Sequence, residues 1–394
     1  MINDSDNHSK QSDNQSDDST DNIFKDLSYL RKVGNLSDYD MSVSNLFTFY
    51  KDANFTYGKK EERIQKNIDL ITDNWNKALK AGDKLLWVSI SKSEKPDTMA
   101  TISSWRSTNN SWMAQHMASS KDAPGLTSVL LNTLAQTITE RKSIKACHNW
   151  YCKENRTACR FYDEIVNAIG EEYSSNTMFE YLNIDKDLET KEDESIIIER
   201  FKPEMRKGLI EIAIKTHGPI YAVAEEFDHP DIELNDLNKI YVNVDKQLGR
   251  KRYIWLAYHL SSDTPNEPVG AIICYRGPLG FNFSFFENRC DLLINTEDDH
   301  LREPIALSLL SRARQVYFDT NFDHDIKKLK YPLDYFPVVC IPSVSDSLKK
   351  KDGVESFRKY NQCYLLREGF EKYYRYLIND LETCLKYIKA HYGQ

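Results

Sequence analysis

SIKACHNWYCKENRTACRFYDEIVNAIGEEY, residues 143–173, is the stretch that decides the fold. Its first part, Ser143 to Cys152, carries Ile, Cys, Trp and Tyr at the density of a β-strand. After Lys153-Glu154-Asn155 the period changes. Ala158, Phe161, Tyr162, Ile165 and Ile169 then fall at the i, i+3, i+4, i+7 spacing of one helix face. Asn155 suits the N-cap, because its side-chain oxygen can accept an orphan N–H of the first turn. The stretch therefore reads as strand, tight turn, capped helix.

Upstream, Glu61 to Leu79 has Ile64, Ile68, Ile71, Trp75 and Leu79 on one face, the pattern of an amphipathic helix. Strands are expected at Lys84–Ser91, Met99–Trp105 and Ser111–Ser119. A helix follows at Leu126–Glu140, and a last strand, Thr177–Ile184, comes after the decisive stretch. The run from Asp185 to Glu199 is largely charged, without an apolar face, and reads as a linker whose last residues, Ile196 to Glu199, can already start the next unit. Beyond it the style repeats. Helices are expected at Pro203–Lys215 and Leu301–Phe318, with Leu234–Leu248 helical or mixed. Strands are expected at Tyr253–Leu260, Pro268–Tyr275, Cys290–Asn295 and Phe336–Ile341, and a terminal helix at Gly369–Tyr392. The expected division is an acidic tail at 1–22, a first domain at 23–188, a linker at 189–200 and a second domain at 201–394.

Asn155, Ala158 and Tyr162 form an N-x-x-A-x-x-x-Y pattern after a strand. This resembles the acyl-CoA motif of the GNAT-type N-acyltransferases, and the order helix, three strands, helix, strand, helix, strand is similar to theirs. The resemblance implies an α/β (α+β) fold of two GNAT-like domains. Each would have a central mixed, mostly antiparallel sheet flanked by helices, the second strongly diverged. It further implies that the strand splays from its neighbour to admit pantetheine, that Asn155 and Ala158 meet the cofactor, and that Tyr162 protonates the departing thiolate. The family's usual Gly-Phe after the helix is replaced by Ile165-Val166-Asn167.

The loop before Leu126 resembles the family's pyrophosphate signature, with Gly125 at the first Gly and Leu126 and Thr127 opening the helix. Asp122 stands where Arg or Gln is usual, so Lys121 is the expected positive charge, and Thr127 replaces a small residue. Read without the resemblance, the same residues are a Pro-Gly turn into an ordinary helix. The matching loop of the second half, Thr296 to His300, has three consecutive acids and no Gly, which disfavours a polyphosphate. Acetyl-CoA or another acyl-CoA is therefore expected as a substrate of the first half. On the third strand, His116 is the one side chain with a natural pKa near ~6.5, the expected base.

The 394 residues suffice for two ordinary domains. A net charge of −8 gives no global pull towards nucleic acid or anionic lipid. No run approaches ~18 apolar residues, so no membrane span is expected. Met1 to Asn22 holds six Asp against one Lys and reads as disordered, without an apolar signal core. The location expected is cytoplasmic. The eight cysteines are dispersed and read as reduced, buried thiols; the spacing of Cys147, Cys152 and Cys159 lacks the close pair of a zinc ribbon, so no metal is expected. No nucleophile elbow, P-loop or dinucleotide fingerprint is present.

The function expected is acyl transfer from CoA to a small-molecule or peptide amine by direct attack. The alternatives are a catalytically silent GNAT-like ligand- or partner-binding protein and a tandem-GNAT aminoacyl transferase. The apolar stripe of the terminal helix also admits a homodimer.

Overall fold

The structure is a computed structural model that describes residues 32–92, 98–120, 125–190, 193–260, 267–319, 321–323 and 328–392, with side chains to 383. The acidic tail and Lys121 lie outside the described residues.

Twelve strands are described. In chain order they are β1 (Val33–Gly34), β2 (Leu86–Lys92), β3 (Met99–Arg106), β4 (Ser111–Ser119), β5 (Ala146–Tyr151), β6 (Ser174–Asp185), β7 (Ile196–Arg200), β8 (Lys251–His259), β9 (Gly270–Arg276), β10 (Cys290–Ile294), β11 (Tyr335–Cys340) and β12 (Val354–Leu366). They form one sheet in the order β1-β2-β3-β4-β5-β12-β6-β11-β10-β9-β8-β7. Only β4–β5 and β10–β11 pair in parallel among the described ladders. The sheet is thus mixed and mostly antiparallel, with helices on its faces, as the resemblance implies, but the strands of both halves join in one sheet rather than one sheet each.

Each half supplies a block of this sheet, but the blocks exchange their last strands. β6, the last strand of the first half, pairs with β11 of the second. β12, the last strand of the chain, pairs with β5 of the first. The two exchanged strands lie side by side over their longest ladder, from Val354↔Ile184 to Leu365↔Ser174. The charged linker does not stay outside the sheet: Ile196 to Arg200 form its outermost strand, β7.

β9 is buried on both faces, which explains why GAIICYR reads as an apolar run rather than an alternation, and β2 is buried likewise with Ser89 and Ser91 inside. Helix Leu126–Thr139 and the start of Phe370–Tyr392 cover one face of the first block through Leu130, Leu134, Tyr373 and Leu377. Helices Val43–Asp52 and Ile68–Leu79 cover the other with Leu46, Ile71 and Trp75. The helix expected over Glu61–Leu79 is two, Gly58–Gln65 and Ile68–Leu79. At the break the Asn67 amide donates to the Arg63 carbonyl at 3.2 Å. Ser42 caps the helix that opens the block, its Oγ accepting the Asn45 N–H.

A loop of the second half closes over the first. Trp75 Nε1 donates to Gly280 O at 2.7 Å, and Asn74 Nδ2 to Leu279 O at 3.0 Å. Beside it, Phe281, Phe283 and Phe286 share a core with Trp75 and Trp105. Among the described residues no helix is long and apolar enough to cross a membrane.

Two buried histidines make this core acid-sensitive. Burial pulls His148 and His217 down from 6.5 to about 3, with Glu225 offsetting only part of the effect. His217 lies between the rings of Phe179 and Tyr221, and neither of its nitrogens has a hydrogen-bond partner. The unfolded chain binds protons below pH 6.5 that the folded chain refuses. Stability should therefore be full above 6.5 and fall progressively as pH drops towards 3. Urea midpoints measured from pH 7.5 to 4.5 check this; a flat profile refutes it.

Candidate active site

β4 and β5 pair only at their starts, Ser111 to Met113 against Ala146 to His148. Beyond Met113 they part. On β4 the register against β3 shifts between Thr101 and Ser103, and opposite that shift His116 takes φ +50°. A non-Gly residue in the left-handed region marks a bulge that the surrounding packing must hold in place. At the base of the opening, Asn149 Nδ2 donates to Ala114 O at 2.6 Å and ties the diverging strands together.

The opening holds a cleft of about 430 Å³. One wall is β4 from Gln115 to Ser119, and the other is the end of β5 with the turn after it. Asn155, Ala158 and Tyr162 face the cleft from helix Arg156–Tyr162, and Leu126 from the start of helix Leu126–Thr139. Asn155 is the N-cap its sequence suggests: its Oδ1 accepts the Ala158 N–H at 3.1 Å. Tyr162 is buried, its ring 5.5 Å from that of Tyr151, and its hydroxyl has no hydrogen-bond partner. Burial, reinforced by the nearby Cys363 and Cys147 thiols, raises its pKa and keeps the proton on the oxygen at neutral pH.

The far side of the cleft is built from residues that sequence reading did not select. Phe55, Tyr57 and Lys60 come from the turn into helix Gly58–Gln65, Phe283 and Ser284 from the second half, and Arg358 and Tyr360 from the exchanged β12. The Lys60 ammonium lies 4.1 Å from the centre of the Phe55 ring. Burial, and then the neighbouring Arg358, pull it down to about 8 against the opposing pull of Cys152. The Arg358 guanidinium reaches 3.7 Å from Cys152 Sγ, yet burial still raises that thiol, so Cys152 is not an activated nucleophile.

No protein-family model matches the sequence, and no curated protein matches it. Solved structures similar to the chain include GNAT proteins. A tandem GNAT protein from the clavulanic acid biosynthesis pathway shares 10% identity over 78% of this chain and 96% of its own, at a TM-score of 0.35. A GCN5-related N-acetyltransferase from Anabaena variabilis shares 11% over 85% of this chain and 72% of its own, at 0.31. The Saccharomyces cerevisiae N-myristoyltransferase with bound myristoyl-CoA shares 10% over 85% and 78%, at 0.31.

Two sequence expectations change on this geometry. His116 cannot serve as a base in this arrangement, because both ring nitrogens are engaged. Nδ1 lies 2.9 Å from Ser103 Oγ, and Nε2 accepts the Phe283 N–H at 3.2 Å. Its ring stacks on Trp75 and packs at 4.2 Å from Phe283. Burial, with Lys60 adding, holds it neutral. The residue joins the strand bulge to the roof instead.

Gly125 is fixed by packing. Its φ is an ordinary −93°, but a Cβ there would sit 2.8 Å from the Ala100 Cβ. A valine at Gly125 would therefore disturb the helix–sheet contact as well as any ligand. Gly125 and Thr127 stand beside the cleft at the helix start, without lining it as Leu126 does.

In the second half, the acids expected to repel phosphate have a local use. Asp298 Oδ1 accepts the His300 N–H at 2.8 Å and caps helix Asp299–Phe318.

Proposed function

We propose that the protein is an acyl-CoA-dependent N-acyltransferase whose reaction centre is the opening between β4 and β5. The observation that carries this reading is the unpartnered hydroxyl of Tyr162, buried on the wall of a cleft formed where two parallel strands part. A buried hydroxyl without a partner costs roughly 1–3 kcal/mol, so it persists where a ligand supplies the missing acceptor.

In this reading the pantetheine arm lies between β4 and β5, past Asn155 and Ala158. The first-turn amides of helix Leu126–Thr139, from Leu126 and Thr127, face the pyrophosphate, with Lys121 the proposed cation beside it. The acceptor amine enters from the side of Phe55, Lys60, Phe283 and Tyr360. Its nitrogen attacks the thioester carbonyl carbon, and a backbone amide of the β4 bulge polarises the carbonyl oxygen. When the tetrahedral intermediate collapses, the C–S bond breaks and Tyr162 gives its proton to the sulfur; the surplus proton on the nitrogen passes through solvent in the cleft and restores the Tyr162 hydroxyl.

Isothermal titration of the full chain with CoA and acetyl-CoA tests the reading. Saturable binding with one site per chain is expected. Failure of both ligands to bind at millimolar concentration would remove it and favour the catalytically silent alternative.

A further inference from the structure

On the helix side of the sheet, next to the floor of the cleft, lies a second cavity of about 60 Å³. Its wall is almost entirely apolar, with Ile102, Leu130, Leu134, Ile165, Cys363 and Leu365 among its residues. Two residues belong to both spaces, Asn149 and Tyr162. The Asn149 amide and the Tyr162 ring therefore border both spaces. The amide is held by Ala114 O, whereas the Tyr162 hydroxyl, on a residue only 5% exposed, has no partner. An apolar void of this kind stays dry and has affinity for hydrocarbon.

Resting on the thioester site proposed above, we infer that this cavity receives the alkyl end of a short acyl group, so that the donor is a propionyl- or butyryl-thioester of CoA. With the sulfur at the Tyr162 hydroxyl, the carbonyl lies at this border and the chain beyond it continues into the void. The size sets the length. A cavity of ~150 Å³ holds benzene, or roughly 25 Å³ per carbon, so 60 Å³ takes about two carbons past an acetyl methyl. An acetyl group leaves the void unfilled, and an octanoyl chain exceeds it. The chemistry is unchanged: the acyl carbon gains the amine nitrogen, the C–S bond breaks, the thiolate takes the Tyr162 proton, and the surplus proton on the nitrogen restores the tyrosine.

Titration of the full chain with CoA, acetyl-, propionyl-, butyryl- and octanoyl-CoA tests this. Affinity should rise about fourfold per methylene from acetyl to butyryl and fall again at octanoyl. Cys363→Leu should abolish the rise while leaving CoA affinity unchanged. Cys363→Ala should move the optimum to a longer chain. Melting curves establish that each variant is folded, and either variant alone is informative. If CoA binds but the series is flat, or if the rise survives Cys363→Leu in folded protein, the acyl pocket is refuted and the cofactor site stands. If CoA itself does not bind, both fall together.

Discussion

Tyr162→Phe should lower turnover by ~10²–10⁴-fold, the range over which a positioned general acid contributes, while altering CoA affinity far less. The substitution removes one oxygen and leaves the ring against Tyr151 in place. Because the hydroxyl bonds to nothing in the protein, its loss breaks no native hydrogen bond and removes a buried polar atom. Stability should accordingly hold or rise, by up to about 1 kcal/mol. This pairing separates the catalytic role from a packing role, since a tyrosine that only packs would keep both its stability and its activity as phenylalanine. Steady-state rates and a urea melt of the same preparation suffice, and turnover within threefold of the parent would dismiss Tyr162 as the acid.

The largest expected loss of stability is at Arg289. Its Nε donates to Asp291 Oδ1 at 2.8 Å and its Nη2 to Glu225 Oε1 at 2.6 Å, with all three side chains fully buried. Tyr275 and Tyr364 donate to the two oxygens of Glu225, and Tyr221 donates to Asp291. Burial raises Glu225, but Arg289 and its neighbours outweigh that and draw it down to about 2. Arg289→Met would leave two carboxylates in a dry core without their cation, at a cost of about 3–5 kcal/mol. Protonating a carboxylate relieves the charge, so the deficit should shrink as pH falls towards 5. Chemical denaturation at pH 7.5 and 5 checks both statements. A loss below ~1 kcal/mol, in the range of a surface pair, would contradict the first.

The parts of the site that lie on regular elements were legible. The change of period at Asn155, the cap it makes and the strand Ser111–Ser119 follow from spacing and capping chemistry alone. What escaped was whatever depends on distant chain. β12 reads VESFRKYNQCYLL, and its charged first half gives no sign of a strand at the centre of the sheet. Charge is tolerated there because Arg358 faces a cleft and Lys359 pairs with Glu180, so burial is incomplete where the polar residues fall. Lys60 was hidden by reading one helix where the chain makes two. His116 looked free because no local pattern reveals a bulge whose ring is bonded to an amide 167 residues away.

The strand exchange has a consequence during synthesis. The ribosome releases β5 long before β12, which begins about 200 residues later, so the first half must wait with one strand edge unpaired. At the usual elongation rates that interval is on the order of ten to forty seconds. The nascent first half therefore depends on protection of that edge by chaperones, or on a provisional partner: β6, which is made next and in the finished sheet borders β12 on its other side.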